Sequence, residues 1–106
     1  MLTEKNLVLT RAEPEGNGGL QFVYRIHNYG LTACSPPKED VAMIQWQVDV
    51  IKYLDDKTLR FEICHSTDLA DKTLTFRNDK TINEFLEKAF VYFEELHTLE
   101  KMMEKS

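Results

Sequence analysis

Polar and apolar residues alternate along much of the first 77 residues, which is the pattern of half-buried β-strands. The alternation is clearest in residues 20–27, whose apolar face would carry Leu20, Phe22, Tyr24 and Ile26. Similar patterns predict four further strands, over residues 6–12, 42–54, 59–66 and 72–77. Residues 29–34 fit only a short strand at a sheet edge, and turn-forming residues at 13–19 and 35–40 predict loops.

The alternation changes phase inside residues 42–54. Up to Val50 the apolar residues share one parity, whereas Ile51 and Tyr53 occupy the other parity and Lys52 takes an apolar one. This shift indicates a β-bulge near residues 50–51, or a twisted hairpin arm that extends past the core.

From Thr81 the period of the pattern changes to that of an amphipathic helix, which we expect over residues 81–104. Thr81 and Glu84 fit a capping box, in which each side chain satisfies a backbone donor at the start of the helix. The apolar stripe consists of Ile82, Phe85, Leu86, Ala89, Phe90, Phe93 and Leu96.

The order of elements predicts a single α+β domain over residues 1–106, with strands within residues 6–77. We expect a mainly antiparallel sheet of five to six strands, with the one long C-terminal helix packed on one face. The sheet residues expected to face the helix are Phe22, Tyr24, Ile26, Ile44, Trp46, Val48, Phe61, Ile63, Leu74 and Phe76.

Composition narrows the class of protein. The 106 residues are 42% hydrophobic, which is typical of a folded domain. Their formal net charge of −5 disfavours duplex DNA or an anionic membrane as a partner. No apolar run approaches the roughly 20 residues of a membrane span, and no leader pattern precedes the first strand. Two cysteines without paired spacing favour a reducing, cytoplasmic compartment, although a single disulfide is compatible with the sequence.

One candidate surface is the sheet face turned away from the helix. Its expected side chains include three of the four arginines, and the residues singled out there are Arg25, His27, Gln47, Asp49, Arg60, Glu62 and Arg77. Arginines on an open sheet face can hold single-stranded nucleic acid, and Arg25, Arg60 and Arg77 would carry that binding. The structural alternative is ordinary cross-strand pairing of these arginines with Asp49 and Glu62.

A second candidate surface is the far end of the helix, which is longer than the sheet needs. Glu100 falls inside the apolar stripe, which suggests that the stripe has left the sheet by then. Apolar residues nevertheless continue on other faces of the helix, namely Val91, Leu99, Met102 and Met103. They predict a contact with a protein partner, such as a homodimer interface, although a frayed helix end would also tolerate them.

The sequence contains no arrangement of side chains that indicates catalysis. The histidines and cysteines lack the spacing of a structural zinc site, and no nucleophile, base and orienting group align, so we expect no metal, no cofactor and no enzyme activity. The leading prediction is a small, non-catalytic protein-interaction module that self-associates. The alternatives are single-stranded nucleic-acid binding on the open sheet face and binding of a small apolar ligand between sheet and helix.

Overall fold

A computed structural model describes residues 1–12, 19–35 and 46–104 of the chain. It contains a six-stranded antiparallel sheet and one long C-terminal helix, which confirms the α+β class. The elements are β1 (Leu7–Ala12), β2 (Leu20–Ile26), β3 (Tyr29–Ser35), β4 (Trp46–Tyr53), β5 (Phe61–Ile63), β6 (Leu74–Phe76) and α1 (Asp79–Glu104). Residues 42–45 of the predicted fourth strand, including Ile44, and the loop residues 13–18 and 36–40 lie outside the described residues.

The strands follow the order β1-β2-β3-β4-β5, and β6 also pairs with β4. β5 pairs with the end of β4 at residues 51–53, whereas β6 pairs with its start at residues 46–48. Two short strands therefore share one side of β4, and the chain leaves the sheet between them. This sharing explains why β5 and β6 are each shorter than the alternation suggested.

β3 is a central strand, not the edge strand expected from residues 29–34. It pairs with β2 on one side and with β4 on the other. Its Leu31 and Ala33 are fully buried, and Thr32 on the opposite face is also buried. A strand that is buried on both faces does not alternate between polar and apolar residues, which is why its pattern looked weak.

The main core lies between the sheet and α1. Tyr24, Leu31, Val48 and Val50 are buried there from the sheet side. The buried residues of α1 are Ile82, Leu86, Ala89, Phe90 and Phe93. Ring stacking ties the two layers together, since the Tyr29 and Phe93 rings are parallel with centroids 5.3 Å apart. Burial of each large side chain contributes about 1.5–3 kcal/mol.

The opposite sheet face carries a second, smaller apolar cluster. Val23, Ile51 and Tyr53 are buried in it, with Leu9 and Phe61 packed alongside. This cluster explains the phase change in β4 without a bulge, because the register between β3 and β4 runs unshifted through Val50 and Ile51. Strand alternation simply places Ile51 and Tyr53 on the second face.

The expected positions of Phe61 and Ile63 in the main core are wrong. Their register partners are Tyr53 and Ile51, so both side chains lie on the second face. Phe61 packs edge-on against Tyr53, with ring centroids 5.9 Å apart. Ile63 is 52% exposed.

Gly30 allows the central strands and Tyr53 to come together. A Cβ at Gly30 would lie 1.9 Å from the backbone oxygen of Tyr24 and 3.0 Å from the Tyr53 ring. The Tyr53 hydroxyl donates to that same Tyr24 oxygen at 3.2 Å. The hydrogen atom of glycine is therefore required where the Tyr53 ring approaches β2 and β3.

The helix begins at Asp79, two residues before the expected start at Thr81, and it is capped by Asn78. The Asn78 side-chain oxygen accepts a hydrogen bond from the Thr81 amide at 2.8 Å, and the Thr81 hydroxyl donates to the Asn78 backbone oxygen at 3.1 Å. Thr81 is thus the third residue of the helix and not its cap, which corrects the capping-box interpretation.

Asp79 joins the start of the helix to the amino-terminal segment and to β4. Its carboxylate lies 2.6 Å from the α-amino group of Met1 and accepts a hydrogen bond from the Trp46 indole at 2.9 Å. The neighbouring Leu2 is buried in the main core. The hydrogen bond from the α-amino group, and after it that from Trp46, hold the pKa of Asp79 below its ordinary value of 3.8.

We expect Gly30→Ala to prevent folding or to lower the free energy of unfolding by about 3 kcal/mol or more, because the new methyl group meets backbone rather than a flexible side chain. Urea unfolding followed by circular dichroism measures the loss. The matched control is Ala33→Gly on the same strand, which removes a buried methyl group and should cost only about 1 kcal/mol. Equal losses in the two variants would contradict this role of Gly30.

We expect Asp79→Asn to lower the free energy of unfolding by about 1 kcal/mol near neutral pH, since the side chain is partly exposed (38%) and water weakens its ion pair. A lowered pKa in the folded state stabilises the fold above the unfolded-state pKa, and this contribution is lost as the pH falls through the folded value. The difference between variant and wild type should therefore shrink as the pH falls below 3.8. Fluorescence of Trp46, the one tryptophan of the chain, reports the transition, and a difference that does not change with pH would refute the assignment.

Candidate functional site

The carboxyl-terminal part of α1 presents a partly apolar outer surface. Within the described residues of the helix, Phe93 is the last buried one, and the helix continues to Glu104, which is about 16 Å further at 1.5 Å per residue. The exposed apolar residues are those singled out from the sequence: Val91 (57% exposed), Leu99 (54%), Met102 (65%) and Met103 (68%). The structure thus places all four on the exposed side of one helix.

A shallow hollow of about 300 Å³ lies on this outer surface. It is lined by Glu94, Glu95, Thr98, Leu99 and Met102. Four of these residues, starting from Glu95, follow the spacing i, i+3, i+4 and i+7, and four residues so arranged form the hole that receives a side chain in helix-to-helix packing. The Thr98 hydroxyl donates a hydrogen bond to the Glu94 carbonyl oxygen at 3.1 Å.

The inner side of the same helix segment is attached to the sheet through the turn between β2 and β3. The His27 and His97 rings are stacked with centroids 3.5 Å apart, and the His27 Nε2 atom lies 2.9 Å from the Glu94 carboxylate. His27 adopts a left-handed backbone conformation (φ 59°), which turns it toward the helix. The helix end is therefore held in a fixed direction, with its apolar side outward.

Glu100, the carboxylate inside the apolar stripe, lies near the start of β3. It is half-buried and lies near the Tyr29 hydroxyl. Burial, and then the charge of Glu100, raise the pKa of the Tyr29 hydroxyl. A carboxylate inside the apolar stripe thus has a polar neighbour, the hydroxyl of a β3 tyrosine.

The open-face residues do not form the single surface expected from the sequence. His27 lies on the helix side, as described above. Glu62 pairs in register with Lys52, so alternation places it on the face opposite Ile51 and Tyr53. Gln47 and Asp49 do lie on the open face of β4.

Arg25 is on the open face, but its guanidinium is fully engaged within the fold. Its three nitrogens donate to the backbone oxygens of His27, Asp55 and Thr58 at 2.9–3.0 Å. Its central carbon lies 4.2 Å from the centroid of the Tyr53 ring. These contacts hold the loop between β4 and β5 against the second cluster, which is a structural role.

The other two arginines lie at opposite ends of the sheet. Arg60 precedes β5 beside the end of β4, where its side chain is 74% exposed and lies 3.8 Å from Asp55. Arg77 follows β6 beside the start of β4. The length of β4, about 23 Å at ~3.3 Å per residue, separates these two positions. The nucleic-acid hypothesis remains an untested prediction.

Asp49 also does not pair with an arginine in the way that cross-strand pairing would require. It accepts a hydrogen bond from the Thr73 hydroxyl at 2.5 Å and lies 3.1 Å from the Nε2 atom of His65. It thereby fixes both ends of the segment between β5 and β6. His65, expected to point inward, is exposed.

Neither a group of metal-ligating side chains nor a disulfide occurs in the described ranges. Within them, no group of three or more His, Cys, Asp or Glu side chains could hold a metal ion, and Cys34 and Cys64 are free thiols. The space between sheet and helix, where a small ligand was envisaged, is filled by side chains that are at most 2% exposed, such as Leu86, Phe90 and Phe93. In the same ranges, no helix has the length and apolar content that crossing a membrane requires.

Sequence reasoning identified the apolar residues of the site but missed two charged ones. Glu94 and Lys101 flank the apolar residues on one side of the helix, seven residues apart. The sevenfold spacing was a readable signal. Dividing the helix into only a polar and an apolar half places both residues in the polar half. It does not show that they lie beside exposed apolar residues.

No protein-family model, curated protein or solved structure matches this chain.

We expect Arg25→Met to lower the free energy of unfolding by about 2 kcal/mol, because three backbone oxygens lose a charged donor. Arg60→Met, which removes the same charge from an exposed side chain, should change it by no more than about 0.5 kcal/mol. Urea unfolding of the two variants gives the comparison. Indistinguishable stabilities would mean that Arg25 does not anchor the loop.

Proposed function

We propose that this chain is a non-catalytic protein-interaction module that self-associates through the outer surface of the carboxyl-terminal part of α1. The observation that carries the proposal is the concentration of exposed apolar side chains on a helix segment that lies beyond the last buried residue of that helix. Exposed apolar side chains grouped in this way mark interaction surfaces more often than scattered ones do.

The fixed direction of the helix end supports this function. Ordering a frayed terminal turn on binding costs free energy, whereas this segment is already held by the His97–His27 stack and by the His27–Glu94 contact. Preorganisation of this kind lowers the cost of association. Methionines at the outer surface add adaptable contact area, which suits an interface between helices.

A second copy of the chain is the simplest partner for such a surface. Most soluble oligomers are homo-oligomers, and twofold dimers are the commonest among them. Because both copies present the same residues, the surface must be complementary to itself. A helix with apolar residues along its outer side meets this requirement by packing against its own copy.

We expect the wild-type chain to form dimers whose fraction rises with concentration. We expect the double variant Leu99→Glu/Met103→Glu to be monomeric, because it replaces exposed apolar side chains of this surface with carboxylates, and each carboxylate that enters the interface would have to lose water. Sedimentation equilibrium over a range of concentrations measures both masses.

The matched control is Leu54→Glu/Ile63→Glu. It adds the same charge at two apolar residues that are similarly exposed (53% and 52%) but lie away from α1. This control should dimerise like the wild type. A wild type that remains monomeric at the highest concentrations, or a control that is equally monomeric, would exclude the proposed surface.

A further inference from the structure

The exposed residues of α1 follow the spacing of a helix-pairing seam. Val91, Glu95, Thr98 and Met102 are separated by four, three and four residues, so they lie along one line on the outer side of the helix. Glu95, Thr98 and Met102 line the hollow, and Val91 extends the line toward the amino-terminal end of α1. The line therefore consists of two apolar ends around a polar centre.

The two flanks of this line differ in chemistry. One flank carries opposite charges seven residues apart, Glu94 and Lys101. The other flank carries Tyr92, which is half-buried, and the exposed Leu99. Flanking charges of this kind set the orientation in which two helices pair.

We infer that two copies pair through this line with their helices antiparallel, an inference that rests on the proposed function. In an antiparallel pair each flank meets the same flank of the other copy. Glu94 then lies opposite Lys101 of the second copy, and twofold symmetry repeats the pair. Tyr92 likewise lies opposite Leu99 of the second copy, and Val91 packs on Met102 of the second copy.

A parallel pair uses the same surface less well. It would set the charged flank of one helix against the Tyr92 and Leu99 flank of the other, so that the charges would meet apolar side chains and lose water without a partner. The opposite charges and the apolar flank therefore both favour the antiparallel arrangement, and they select a second copy as the occupant.

The Glu94 carboxylate is already positioned for this contact. Its Oε2 atom is held by His27 at 2.9 Å, and an ionised carboxylate has capacity for further donors. Polar residues at the centre of the line, Glu95 and Thr98, would meet each other across the pair. Such a polar layer lowers stability but fixes the register of paired helices.

A charge-reversal experiment tests the orientation. We expect Lys101→Glu to raise the dimer dissociation constant roughly tenfold, because two attractive pairs become repulsive. The double variant Glu94→Lys/Lys101→Glu exchanges the charges and should return the dissociation constant to within about threefold of the wild-type value. The remaining difference comes from the loss of the His27–Glu94 contact. The control Lys80→Glu changes the net charge equally at an exposed position near the start of α1.

Each outcome of the sedimentation measurement has one meaning. Weakening by Lys101→Glu with recovery in the double variant supports the antiparallel pair. Three outcomes overturn the antiparallel inference but leave the proposed function standing: a wild-type dimer that responds to neither variant, one that responds no more than to Lys80→Glu, and weakening by Lys101→Glu without recovery in the double variant. A monomeric wild type overturns both.

Disulfide cross-linking provides an independent readout. In an antiparallel pair, Val91→Cys/Met102→Cys brings the new thiols of the two copies together, whereas Met102→Cys alone keeps them apart. We expect covalent dimers under oxidising conditions only with the double variant, and wild type, with its native Cys34 and Cys64, controls for other bridges. Dimers from Met102→Cys alone would indicate parallel helices and overturn the inference.

Discussion

The approach of Tyr53 to the backbone at Gly30 is the constraint on which the rest of the structure depends. A side chain at Gly30 would collide with the carbonyl of Tyr24. The Tyr53 hydroxyl of β4 donates a hydrogen bond to that same carbonyl of β2, across β3. The Tyr53 ring also supports Arg25, which fixes the loop that leads to β5. The absence of a side chain at Gly30 therefore allows the central strands to pair closely, the second apolar cluster to form and the loop before β5 to pack on it.

Each face of the sheet carries an apolar cluster, and this decides how far the sequence predicted the fold. Alternation identified β2, β4 and α1 because each has one face clearly richer in apolar residues. It underestimated β3, which is buried on both sides, and it misread Ile51 and Tyr53 as an irregularity. Interpreting polar–apolar alternation assumes that one face of each strand is buried. A strand with side chains in two apolar clusters therefore looks irregular.

The candidate site was predictable to a different extent for its apolar and its polar parts. The positions of Leu99, Met102 and Met103 followed from helical period alone, since a helix fixes the direction of each side chain. The places of Arg25 and His27 did not, because they depend on loop carbonyls and on a left-handed turn residue that are brought near by tertiary structure. The strand pattern therefore indicated a binding surface with three arginines, whereas in the structure Arg25 donates its hydrogen bonds to backbone oxygens of the same chain.

The segment between β5 and β6 has a consequence for the evolution of this architecture. It leaves and rejoins the same side of β4, and Asp49 holds it at both ends through His65 and Thr73. Extra residues inserted at its exposed positions would need only to close the same gap, and doubling the length of such an excursion costs about 0.6 kcal/mol. Insertions in this segment can thus enlarge the surface of the protein during evolution without changing the strand order or the direction of α1.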